Sequence, residues 1–188
     1  MQFPIAVGFS ERHTGFGVPG VIRPVVEEDL LAWTTWRYGA RDEDKEWDWR
    51  GIYLDCKRRA DRYECYAAVA ASQLHGLMLL DLKGRKIAGS RSLIVDYLST
   101  NPTDRTASHG LKYIGTALIG VAVMRSIDAG MDGRIWLESL PRAASFYENL
   151  GFVGQLRRSR EGNLVYVLHS NLAKALLEEV AEKRIIIA

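Results

Sequence analysis

The succession of apolar and polar positions divides the chain into helix-like and strand-like blocks. Residues 1–20 show little periodicity and hold four glycines and two prolines, so an irregular N-terminal arm is expected there. Residues 21–24 read as a short strand. Residues 25–36 read as a helix opened by the acidic Glu27, Glu28 and Asp29, with Leu30, Leu31 and Trp33 on its apolar face. Asp42, Glu43 and Asp44 then open a second helix to about residue 59, in which Trp47, Ile52, Tyr53 and Cys56 recur at roughly helical spacing.

Strand-like runs follow at 63–71 and 74–82, joined by the turn pair Ser72-Gln73. Another covers 92–100 and stops at Asn101-Pro102, because proline cannot extend a ladder. Residues 103–109 read as polar loop. Residues 117–129 are apolar on nearly every side and predict a helix buried against a sheet. A strand at 134–140 leads to a short helix opened by Pro141 and closed by Gly151. Residues 152–158 and 164–169 form a last hairpin, and Ser170 can cap a final helix to about residue 183. The tail 184–187 is either a strand or frayed. With no internal repeat or linker in view, the expectation is one mixed α/β domain over residues 1–188, with an arm (1–20), a core (21–169) and a terminal helix and tail (170–188).

Composition changes this picture little. The chain has 188 residues, 47% hydrophobic and 26% charged, enough for one well-packed core. A net charge of +2 suggests no general affinity for nucleic acid or membrane. The basic clusters Lys57-Arg58-Arg59 and Arg157-Arg158-Ser159-Arg160 read as solvated faces. No secretory pattern and no bilayer-length apolar run is visible, so a cytoplasmic location is expected. Cys56 and Cys65 have neither metal-ligand spacing nor a disulfide framework, and no metal site is expected.

One stretch suggests chemistry. Between the strand at 92–100 and the buried helix lie Lys112, Tyr113, Ile114, Gly115, Thr116 and Ala117. A helix start offers backbone N–H groups without intrahelical partners, the helix dipole adds positive potential, and a glycine permits close approach, so this turn can hold an anion. Nucleophile elbows, paired-histidine metal motifs and dinucleotide fingerprints do not occur.

The element order, with that turn after the strand at 92–100, resembles the GNAT superfamily of acyl-CoA-dependent N-acetyltransferases. Lys112-x-x-Gly115-x-Ala117 is similar to the family's Gln/Arg-x-x-Gly-x-Gly/Ala motif, with lysine at the first position. The segment from Ala143 through Phe146-Tyr147 to Gly151-Phe152 resembles its Ala-x-x-Phe-Tyr-x-x-x-Gly-Phe segment. Ile22-Arg23-Pro24 followed by Glu28-Asp29-Leu30 resembles its opening. The matches span roughly residues 21–169. Two features depart from the pattern. Leu140 stands where the family often has asparagine, and the link from Pro102 to Lys112 is long.

The resemblance implies a central twisted mixed sheet flanked by helices and acetyl-CoA as acyl donor. It implies that the pantetheine arm pairs with the edge of the strand at Leu98, Ser99 and Thr100, while the turn holds the pyrophosphate. Tyr147 would protonate the leaving thiolate, or else pack beside Phe146. Asp96, with the same strand parity as Leu98 and Thr100, is the first candidate for the base. Glu138 is the second, and His75 and His109 come after it. The acceptor would be a small-molecule or peptide amine. Trp33, Trp36, Trp47 and Trp49 would either wall its mouth or serve as core. The alternatives are an acyl-CoA-binding module without turnover and dimerisation through the N-terminal arm.

Overall fold

The computed structural model describes residues 1–87 and 89–187. Its elements are, in order, β1 (Ile5–Glu11), β2 (Gly17–Pro24), α1 (Glu27–Trp33), α2 (Trp49–Arg58), β3 (Tyr63–Ala70), β4 (Gln73–Ile87), β5 (Ser90–Thr100), α3 (Pro102–Thr106), β6 (Leu111–Lys112), α4 (Ile114–Asp128), β7 (Ile135–Ser139), α5 (Ala144–Asn149), β8 (Val153–Arg158), β9 (Leu164–Leu168), α6 (Ser170–Glu182) and β10 (Ile186–Ile187). They build one sheet in the order β10-β1-β2-β3-β4-β5-β7-β9-β8, with β6 also on β1. Every pairing is antiparallel except β5 with β7. That parallel pair needs a crossover, and the buried helix α4 supplies it.

Side-chain alternation sorts the sheet into two faces. Tyr66, Ala68, Met78, Leu80, Leu93 and Val95 point into one core, which α4 and α6 cover. Cys65, Ala67, Leu77 and Leu79 point into the other, which α1 and α2 cover with Leu30, Trp49 and Cys56. The β3–β4 turn sits at Ala71-Ser72, one residue earlier than expected. Both residues have positive φ (47° and 60°), the pairing that a two-residue hairpin turn requires.

Four expectations are corrected. Residues 1–20 are not an irregular arm. β1 and β2 form a hairpin inside the sheet, with Val7 and Phe9 almost fully buried. The second helix begins at Trp49 rather than Asp42, where the Asp48 carboxylate caps it by accepting the Arg50 N–H. The acidic residues before it are taken up elsewhere, as described below. Residues 103–109 include the helical turn α3, capped by the Asn101 side chain with Pro102 in its first turn. The tail does add a strand, since β10 pairs with β1. His169, not Ser170, is the N-cap of α6.

Candidate active site

The site lies where β5 and β7 part. They are paired at Leu93–Ile135, Ile94–Trp136 and Val95–Leu137 and no further. β5 then runs on to Thr100, and β7 ends at Ser139. The first residues beyond the last pair are Asp96 on β5 and Glu138 on β7, one on each arm of the fork.

A β-bulge sits at the same point. Leu79 pairs with Tyr97 but Leu80 with Val95, so Asp96 is the extra residue. A bulge shifts strand parity by one. Leu93 and Val95 face the α4 core, and after the bulge Leu98 faces it as well. Asp96 therefore does not share a face with Leu98 and Thr100, and the parity argument for it is corrected.

Two cavities open at the fork. The first, about 940 Å3, lies on the α4 and α5 side. Leu98, Thr100, Lys112, Tyr113, Ile114, Gly115, Thr116 and Tyr147 all line it. The second, about 460 Å3, involves α2 and is lined by Asp96 and Glu138 together with Trp47, Tyr97 and Trp136. Leu140 borders both.

In the first cavity, Tyr113 precedes α4 in the left-handed region (φ 70°), with no side-chain cap. Within α4 the first N–H to find an intrahelical acceptor is that of Ala117, on the Tyr113 carbonyl at 2.8 Å. The N–H groups of Ile114, Gly115 and Thr116 precede it and have no acceptor inside the helix. Ala117 is fully buried and does not line the cavity, so its expected place in the cradle is corrected. Gly115 has a packing reason as well. A Cβ there would come within 2.9 Å of Phe146 Cζ, so this glycine lets α5 close against the start of α4.

The strand-edge pairing expected at Ser99 uses its backbone, and its side chain does not line this cavity. That side chain is buried on the far side of β5, donating to the Asp44 carboxylate. Arg105 completes this cluster, with ion pairs to Asp44 and, at 3.1 Å, to Asp42. Burial alone would raise the Asp44 pKa, but the hydrogen bonds from Arg105 and Ser99 outweigh it and hold the carboxyl below its usual range. Arg105 also donates to the Thr100 carbonyl at 2.7 Å. The acidic run 42–44 is thus a clamp joining the α1–α2 connection to the end of β5. Glu43 extends it to the other arm of the fork by accepting the Arg142 N–H at 3.0 Å.

Tyr147 is 6% exposed, edge-on to Phe146 and Phe152 at 5.0 and 5.4 Å between ring centres. Burial pushes its hydroxyl pKa upward. Asp96 is an exposed residue on the wall of the second cavity, yet neighbouring protein and carboxylates crowd its carboxyl. Desolvation, then the charges of Asp81 and Glu138, push it up to about 6 against the partial opposition of Arg62 and Arg59. His75 and His109 line neither cavity. His75 Nδ1 pairs with Asp104 at 2.7 Å, and the exposed His109 faces Glu11 at 3.3 Å. Of the four early tryptophans only Trp47 lines a cavity, whereas Trp36 and Trp49 are core. Trp136, Tyr97, Arg105 and Arg142 border the cavities as well. No local motif marks them, because partners distant in sequence bring them to the fork.

Among the described residues no helix is long and apolar enough to cross a membrane. No protein-family model and no curated protein matches the chain. Solved structures do. A tyrosine-to-phenylalanine mutant of the toxin AtaT, bound to the C-terminus of the antitoxin AtaR, superposes with TM-score 0.59 at 16% identity, over 84% of this chain and 96% of that one. The PaiA N-acetyltransferase of Thermoplasma acidophilum in complex with coenzyme A gives 0.55 at 19% identity, over 79% and 97%. Ard1 from Thermoplasma volcanium gives 0.54 at 15% identity, over 79% and 94%. With its forked mixed sheet, bulged β5 and crossover helix α4, this chain has the fold of the GNAT acetyltransferases.

Proposed function

We propose that the protein transfers an acetyl group directly from acetyl-CoA to a primary amine. The observation that carries this reading is the pair of cavities meeting at the β5–β7 fork, one with unpaired helix N–H groups and a buried phenol, the other with two carboxylates. A donor in the first cavity and an acceptor in the second would meet between the strands without a covalent enzyme intermediate.

In this reading the N–H groups of Ile114, Gly115 and Thr116 hold the pyrophosphate, aided by the α4 dipole and by Lys112. The pantetheine arm lies along β5 at Leu98, where the strand has lost its β7 partner. Asp96, with Glu138 beside it, takes a proton from the incoming ammonium directly or through water. The nitrogen lone pair then attacks the thioester carbonyl, and a backbone N–H of β5 stabilises the oxyanion. As the C–S bond breaks, Tyr147 gives its proton to the sulfur, and the second proton lost by the amide nitrogen passes through solvent to restore the phenol. A tyrosine held protonated by burial suits that role.

Titration calorimetry with acetyl-CoA, followed by detection of free thiol across a panel of amines, tests the proposal. Binding with amine-dependent thiol release is expected. Binding without release on any amine would leave an acyl-CoA-binding module, and no binding would overturn both readings.

A further inference from the structure

The second cavity carries more negative charge than deprotonating one amine requires. Asp96 and Glu138 flank the fork, and Glu161 lines the cavity from the turn between β8 and β9. Among the described residues none of these three is in an ion pair. A fourth carboxylate, Asp55, is turned to Arg58 at 3.2 Å. The lining holds one cation, Arg59, and its guanidinium lies over the Tyr63 ring at 4.6 Å. The same cavity has an aromatic wall, with Trp47 and Tyr97 edge-to-face at 5.0 Å.

Charge and aromatic faces together define the ligand. Aromatic faces attract cations, and carboxylates crowded with no ion-pair contact, their charge only partly offset by Arg59 and Arg62, are relieved by one. A single ammonium at the fork would satisfy Asp96 and Glu138 and then lose its charge on reaction, leaving Glu161 unmatched. An acceptor ending in a carboxylate would face repulsion instead. A volume of about 460 Å3 suits a small molecule.

We propose that this cavity selects a small acceptor amine bearing a second positive charge, an alkyl diamine in chemical class. One nitrogen lies at the fork and the other between Glu161 and the Trp47–Tyr97 wall. The inference rests on the acetyl-transfer reading above.

The test compares thiol release with butylamine, 1,4-diaminobutane and 4-aminobutanoate, for the parent and for Glu161→Gln. The diamine is expected to exceed butylamine about tenfold in kcat/KM at low salt, with the amino acid poorest. High salt should shrink that preference. Glu161→Gln should reduce it severalfold, raising KM for the diamine more than KM for butylamine. Equal efficiency for butylamine and the diamine, or a preference indifferent to Glu161→Gln, overturns the inference. Calorimetry with a permethylated diammonium, which cannot be acetylated, separates the two proposals. If it binds more weakly to Glu161→Gln while no amine releases thiol, the cavity is a dication site and the acetyl-transfer reading fails. If it does not bind at all, the selectivity inference fails whatever the turnover.

Discussion

Tyr147 and Asp96 respond to the same physical effect with opposite consequences for chemistry. Burial disfavours the charged form of Tyr147, and for Asp96, whose residue is exposed in the second cavity, the surrounding protein and the charges of Asp81 and Glu138 do the same. For the tyrosine this keeps the proton available. For Asp96, at about pKa 6, it keeps the carboxylate basic enough to accept one near neutral pH. The pH profile of kcat/KM is therefore expected to show a rising limb near 6 that Asp96→Asn removes. Tyr147→Phe retains the ring contacts with Phe146 and Phe152, and is expected to slow turnover by about 10²-fold without lowering Tm. A rate within threefold of the parent would reduce Tyr147 to a packing residue. The raised Asp96 pKa also has a stability consequence. The folded state binds the proton more tightly than the unfolded chain, so stability falls as pH rises from about 4 through 6. Asp96→Asn, which mimics the protonated form, should raise Tm at pH 7.5 and have little effect at pH 4. The opposite ranking would contradict the raised pKa.

At the level of elements, α4 and α5 meet at Gly115. Gly115→Ala places a methyl 2.9 Å from Phe146 Cζ, so the start of α5 must shift or the ring must turn. Such overpacking costs about 1–3 kcal/mol. The expected result is a lower Tm together with weaker acetyl-CoA binding, and Phe146→Leu in the same chain should recover part of both. A variant with unchanged Tm and affinity would show that the two helices do not depend on this approach. The glycine was legible in the sequence as part of an anion-binding turn, but its contact with Phe146 was not. The start of α2 was misread for a related reason. Asp42 and Asp44 look like helix-opening residues until Arg105, some sixty positions away, takes their carboxylates.

Across the whole molecule, the N-terminal residues belong to the sheet. Phe9 is 1% exposed and packs within the core covered by α4 and α6. Phe9→Ala should destabilise by about 3–5 kcal/mol in denaturant unfolding. A change below 1 kcal/mol would return residues 1–20 to the status of an arm. Glycines and prolines hid this hairpin, because β1 and β2 are defined by partners rather than by a strong period. What the sequence determined by itself was local: the apolar runs of β3 to β5, the buried α4, and the turn with its unpaired N–H groups, each fixed by spacing within one segment. The tertiary structure decided which sheet face each site residue occupies. The bulge at Asp96 reverses strand parity, the β5–β7 pairing ends at Val95 and Leu137, and the clamp from Asp44 to Arg105 joins segments far apart in the chain. A period of two cannot reveal its own interruption, because the extra residue is recognised only against the strand it pairs with.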